Sequence, residues 1–389
     1  MRRTILLLLF ATSLFAREVA RVPADIRGNR VLVNVAVDDH PPSAFVLDTG
    51  AARTVVAQSF AEARGIRATG RGQAMGASAS VEIGLASRLV FSFADIRIPA
   101  KDVPLIPLGP INLRAGAPVG GVLGREAFRN YVVDLNYERA EVVFHDRRSF
   151  RAPEGAVTVP LHFGDHRSMP QVDVRLTLPG GRVVPARLHL DTGAGPGLIL
   201  TRAFTRKHDI QLPDAIETSL GLGVGGASSE RTARIARLDF AGFAIDRPIA
   251  MLSHSTKGVL GGEHIDGLLG GEILRRFHVQ IDYGRKQTHL TRNANFGEPV
   301  DIDMLGATLA ARDDSFRAIE VQSLIEKSAA TEAGLRKGDE LRAIDGRAVT
   351  PRELDAIRKM FRKPDQRHEL TIVRDGKEMV VPVTTRRIV

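Results

Sequence analysis

"FVLDTGA" spans Phe45 to Ala51, and "LHLDTGA" spans Leu188 to Ala194. In each stretch an apolar, strand-like run ends in Asp-Thr-Gly, which sets two carboxylates, Asp48 and Asp191, in one local context. A single Asp-x-Gly is ordinary turn chemistry, so the surroundings decide. "GGVLGREAFRNYVVDLNYER" (Gly120 to Arg139) aligns without gaps on "DGLLGGEILRRFHVQIDYGR" (Asp266 to Arg285), matching Gly121 with Gly267, Leu123 with Leu269, Gly124 with Gly270, Glu126 with Glu272 and Tyr137 with Tyr283. The offset is 146 residues here and 143 between the two aspartates. Each half of the chain therefore carries an aspartate landmark and then a glycine landmark, and an internal duplication is the simplest account.

Both halves read as mainly β. "RVLVNVAVDD" alternates Val31, Val33, Val35 and Val37 on one face, and "DDHPPS" turns the chain into "AFVLDTG". The second half repeats this with "QVDVRLTL", a turn at Pro179 to Gly181, and "RLHLDTG". Short helices are expected near Arg125 to Asn130 and Gly271 to Arg276, and the charged, Pro-punctuated segment His145 to Pro170 reads as a connector. This gives an N-terminal lobe over 22–147 and a C-terminal lobe over 168–292.

Two carboxylates brought together at approximate two-fold symmetry cannot both ionise cheaply, so the pair holds one proton between them. Such a pair is acid and base at once: one member takes a proton from water as it attacks a carbonyl, and the other donates to the carbonyl oxygen. No metal, cofactor or covalent nucleophile is required. The Thr after each Asp can bond to the opposing loop's backbone, and the Gly lets the loops approach without a Cβ. The residue after DTG is Ala in both copies, Ala51 and Ala194, and has no hydroxyl to donate to the carboxylates.

These features resemble the pepsin and retroviral-type aspartic peptidases, through the two DTGA copies and the later "VLG" (Val122 to Gly124) and "LLG" (Leu268 to Gly270). The resemblance covers roughly residues 22 to 292. It implies catalytic roles for Asp48 and Asp191 and supporting roles for Thr49, Gly50, Thr192 and Gly193. It also implies a β-hairpin flap, for which "GRGQAMGASAS" with Met75 and Gly76, and "GLGVGGASS" with Gly225 and Gly226, are the candidates. Neither contains the tyrosine found in pepsin-like flaps.

Beyond "RNANFGEPVDID" the texture changes. A short helix ending at Gly334, a turn at Gly338, an Asp345-Gly346 turn, the helix "PRELDAIRKMF" and two strands about an Asp-Gly turn make residues 303–389 a compact α+β module. "AGLRKGD" and "IDGRAV" resemble bacterial PDZ domains, which implies an extended peptide ligand added beside the second helix. The implied groove residues are Leu305, Gly306 and Ala307 of "MLGATL", with Leu354 and Ile357 either lining it or packing in the core.

Residues 1–16, with Arg2 and Arg3, the apolar run Ile5 to Phe10 and small residues to Ala16, read as a signal peptide, cleaved or kept as an anchor, so the expected location is periplasmic or extracellular. No later segment reads as a membrane span. Cysteine is absent from the sequence, which excludes disulfides, thiolate metal sites and a Cys nucleophile. The net charge of +9, or +7 without Arg2 and Arg3, comes from scattered arginines with no Trp and three Tyr, a pattern of solvated surface rather than nucleic-acid binding. Gly221, Gly223 and Gly226 satisfy GxGxxG but lack the helix of a dinucleotide site, and His162 and His166 lack a zinc-protease pattern, so neither a cofactor nor a metal is expected. The sequence thus points to an aspartic endopeptidase acting on peptide or protein substrates. The rival from another class is a non-catalytic envelope peptide-binding or scaffold protein that keeps the fold.

Overall fold

The computed structural model describes residues 17–77, 79–164, 169–223 and 226–389, without side chains over 219–229. The expected leader at 1–16, His166 and Gly225 lie outside the described residues.

In the first half, Ser43–Leu47 delivers Asp48 at its C-terminal end. The glycine landmark, Gly121–Leu123, threads between Ser43–Leu47, to which it runs parallel, and Val55–Ala57, to which it runs antiparallel. The second half repeats this arrangement, with Gly267–Leu269 between Val183–Leu190 and Leu198–Leu200. The threading explains why the two landmarks recur together: the Asp48 amide donates to Leu123 O at 3.0 Å, and the Asp191 amide donates to Leu269 O at 2.9 Å. It also explains Gly121, where a Cβ would overlap Val55 O and the Phe45 ring.

Val31, Val33, Val35 and Val37 are buried as their alternation implies, but Leu32 on the opposite face is buried too, in a small cluster with Val46 and Val119. Helices form at Arg125–Asn130 and Gly271–Leu274, each with a glutamate, Glu126 or Glu272, in the first turn.

The segment expected to be a plain connector contains the strand Val157–Pro160, which pairs with Gln287–Arg292. It belongs to a six-stranded sheet that takes strands from both halves. At the centre of that sheet Tyr131–Asn136 lies antiparallel to Phe277–Asp282, with Asp134 opposite Gln280, its own counterpart at the 146-residue offset. The pseudo-two-fold axis passes between these two residues, so the lobes are joined by a continuous sheet rather than by a tether. Glu18–Pro23 adds an outer strand to it, which begins four residues before the expected lobe boundary at 22.

The C-terminal module is a sheet with Ala307–Ala311 at one edge and Lys377–Thr384 at the other, covered by Ala329–Glu332 and Leu354–Met360. It has its own core, and it is docked on the lobes. Arg234 Nε donates to Val389 O at 3.1 Å, the Gly28 amide donates to Asp355 Oδ1 at 2.7 Å, and Gly116 lies so close to Pro351 O that any side chain would overlap it. No described helix is long and apolar enough to cross a membrane.

Candidate active site

The two Asp-Thr-Gly turns meet across the axis. Thr49 Oγ1 donates to Leu190 O, and Thr192 Oγ1 donates to Leu47 O at 2.8 Å. The amides of Thr49 and Thr192 in turn donate to each other's hydroxyls at 3.0 and 3.1 Å. Both threonines are fully buried, so each of these reciprocal bonds replaces one that water cannot supply.

The glycines are placed by steric necessity. A Cβ on Gly50 would stand 2.8 Å from the Asp191 carboxyl, and one on Gly193 would overlap the Asp48 carboxyl outright. Each glycine therefore lies against the aspartate of the opposite repeat, and the two carboxyls contact each other through a side-chain hydrogen bond.

The pair is not symmetric. Asp48 Oδ1 accepts one amide, from Gly50 at 2.7 Å. Asp191 Oδ1 accepts two, from Gly193 and Ala194, both at 2.9 Å. Burial and then the neighbouring charge of Asp191 hold Asp48 well above the ordinary carboxylate range, while Asp191 is raised by burial and drawn back by its bonds from Asp48 and the two amides. Asp191 thus has the fuller set of charge-stabilising partners, and the two carboxyls titrate as one coupled pair that shares a proton.

Several supporting residues were not singled out in the sequence. Arg30 Nε donates to Gly193 O at 2.6 Å, and its charge lowers both aspartates. Asn29 Nδ2 donates to Gly195 O at 3.1 Å and to Glu272 Oε2 at 2.9 Å. Tyr283 OH donates to Thr49 O at 3.4 Å. The repeat alignment flagged Glu126, Glu272 and Tyr283 as matched positions, but no sequence signal marked Arg30.

The dyad lies in a cavity of about 1260 Å³, above the usual range for small-molecule sites. The hairpin of Gly70–Met75 and Ser80–Phe93 reaches over it, with Met75 and Gly76 on its wall. Its tip is pinned by the Val259 amide donating to Gly76 O and the Leu260 amide to Ala77 O, both at 3.0 Å. The second candidate flap is the hairpin of Ile216–Gly223 and Gly226–Arg234, in which Gly223 pairs with Gly226. The described part of this glycine-rich run is therefore strand. His162 lies 3.0 Å from Asp173.

The C-terminal module forms another wall of this cavity through Gly306, Ala307, Thr308 and Leu309 and through Asp355, Arg358, Lys359 and Arg362. Three of the expected groove residues lie elsewhere: Leu305, Leu354 and Ile357 are buried in the module's own core. Leu354, Ile357 and Phe361 fall at helical spacing on the inward face, which leaves the charged face of that helix towards the cavity.

A family model described as aspartyl protease matches residues 33–127, and one described as PDZ domain matches residues 320–374. No curated protein matches the chain. Among solved structures, the crystal structure of aspartic proteinase from Irpex lacteus is similar at 13% identity and a TM-score of 0.43, covering 72% of this chain and 99% of that one. The mainly β chain thus matches an aspartyl protease model within its first lobe and a PDZ domain model within its C-terminal module, each over less than half of its length.

Proposed function

We propose that this protein is an exported aspartic endopeptidase in which Asp48 and Asp191 form one acid–base pair and the PDZ domain walls the substrate cleft. The observation that carries the reading is the reciprocal packing of the loops, with Gly50 against Asp191 and Gly193 against Asp48. A fold kept only as a scaffold has no need to hold two carboxyls in contact at a cavity floor, where burial raises both.

In the proposed reaction ionised Asp191 takes a proton from water as its oxygen attacks the peptide carbonyl carbon, while Asp48 gives its proton to the carbonyl oxygen. The resulting gem-diol collapses as a proton passes to the amide nitrogen and the C–N bond breaks, releasing an acid and an amine. Arg30 and the amides of Gly193 and Ala194 keep Asp191 ionised. The apolar leader at 1–16 supports export to a periplasmic or extracellular space.

The test is incubation of the purified protein with a mixed peptide library, read by mass spectrometry. New termini that disappear in Asp48→Asn are expected. Peptides retained but uncut would favour a binding protein instead.

A further inference from the structure

Where the first lobe, the dyad and the PDZ domain meet, the cavity wall carries three arginines: Arg30, Arg114 and Arg358. Arg30 comes from the strand that faces the second aspartate loop, Arg114 from the helix Gly109–Ala115, and Arg358 from the PDZ helix Leu354–Met360. They are close enough that Arg358 and Arg30 depress Arg114, and Arg30 depresses Arg358.

Like charges are not gathered on a partly buried wall without cost. Two other arginines near this boundary do have carboxylate partners, Arg362 with Glu272 and Arg234 with Asp301. Among the described residues none of these three guanidiniums has a carboxylate within ion-pair distance. Arg30 donates to Gly193 O, and Arg358 donates to Arg114 O at 2.7 Å and Leu309 O at 2.9 Å. Arg114 donates its side-chain N–H groups to no described residue, although its Nη1 is buried. Burial, then Arg358 and Arg30, bring it down to about 9, which still leaves it charged at neutral pH.

The nearest acids are engaged in other bonds, the two dyad carboxyls that attract Arg30 among them. Asp355 accepts from the Gly28 amide and pairs with Lys359 at 3.1 Å, and Asp303 Oδ1 accepts from the Leu305 amide at 2.8 Å. That last bond also takes up a backbone donor in the MLGATL stretch that holds the implied groove residues.

We infer that Arg114, with Arg30 and Arg358, forms a carboxylate-binding subsite of the peptide cleft, shared between the first lobe and the PDZ domain. It rests on the reading of the cavity as a peptide cleft. Guanidinium forks match a carboxylate in geometry and charge, so the ligand group is either a substrate's C-terminal carboxylate or an Asp or Glu side chain. A peptide anchored there lies in the same cavity as the dyad, which makes the PDZ domain part of substrate selection at the bond that is cut rather than a remote tether.

The test uses the full chain carrying Asp48→Asn, so that binding is read without turnover. Four pools of synthetic decapeptides of one neutral randomised composition are compared by equilibrium dialysis and mass spectrometry: free acid or amide at the C-terminus, each with or without one internal glutamate. At least one carboxylate-bearing pool should bind about tenfold more tightly than the amidated, glutamate-free pool. Dependence on the free terminus assigns the terminal carboxylate, and dependence on glutamate assigns the side chain. Arg114→Met should remove the preference without lowering the thermal midpoint, and Arg114→Lys should restore part of it.

Equal binding of all four pools, binding of none, or a preference that survives Arg114→Met would overturn the subsite. Cleavage by the wild-type protein is scored separately. A carboxylate preference without cleavage keeps the subsite and removes the peptidase reading, and cleavage without the preference does the reverse.

Discussion

The two aspartate loops share a sequence and differ in their surroundings. What the pseudo-two-fold axis requires is identical in both: the crossed threonine bonds, the glycine against the opposite carboxyl and the amide bond to the glycine landmark. What the axis does not require has diverged. Asp48 accepts one amide and Asp191 two; Tyr283 bonds across to Thr49 O, whereas its counterpart Tyr137 has a buried hydroxyl with no partner among the described residues. Duplication supplies the pair, and divergence around it gives the two carboxyls unequal hydrogen-bond partners.

The matched glutamates show this division most sharply, and changing them should give the largest effect. Glu126 stays within its lobe, accepting from the Thr54 amide at 2.7 Å and the Thr54 hydroxyl at 2.8 Å. Glu272 instead gathers Arg275, Arg276, Asn29 and the PDZ residue Arg362. Arg276 is 1% exposed, so Glu272→Gln strands a buried cation and should cost about 3–5 kcal/mol of stability. Glu126→Gln should cost about 1 kcal/mol, since the amide keeps an acceptor oxygen. Denaturant unfolding of both variants checks the ratio; equal losses would mean that the two positions do the same work.

Next come the glycines. Gly193→Ala should lower kcat/KM by about 100-fold or more, because the new methyl displaces Asp48 from its partner. Gly50→Ala should cost less, its Cβ having slightly more room. The reverse order in peptide-cleavage kinetics would contradict the placement of the carboxyls.

The strands ending at Asp48 and Asp191 and the helix Arg125–Asn130 were legible because their signals are local: an apolar run, a DTG turn, a glycine followed by a short helix. The shared sheet was not, since Val157–Pro160 is four residues long in a Pro-rich segment and its partner lies about 130 residues away. Leu354 and Ile357 could have been assigned to the core by including Phe361 in their helical spacing. The arginine cluster was out of reach, because only the docking of the PDZ domain on the lobe brings Arg358 to Arg114.

The crossed threonines give a smaller effect, equal in the two halves. Thr49→Val and Thr192→Val should each destabilise the protein by about 1–3 kcal/mol, as each leaves buried groups unpaired. A marked difference between them in thermal or denaturant unfolding would show that the axis is less symmetric at this point than the bonds imply.

A still smaller effect concerns pH. Burial raises Asp48 and Asp191 above the ordinary carboxylate range, so their contribution to stability is fully present below that range and is lost as pH rises through the pair's folded titration. Asp48→Asn removes one ionisable member. It should match the wild-type protein at low pH and exceed it at pH 7.5 by on the order of 1 kcal/mol. Denaturation at both pH values checks this, and a variant less stable at pH 7.5 would show that the shared charge supports the fold.

The central claim, that one carboxylate from each repeat makes a single proton-sharing catalyst, is tested most directly by kcat/KM against pH for the wild-type, Asp48→Asn and Asp191→Asn proteins on one library-derived peptide. The wild-type profile should be bell-shaped, with both limbs belonging to the pair, and each Asn variant should be inactive across the whole range while remaining folded. A bell-shaped profile surviving in either variant would contradict the account.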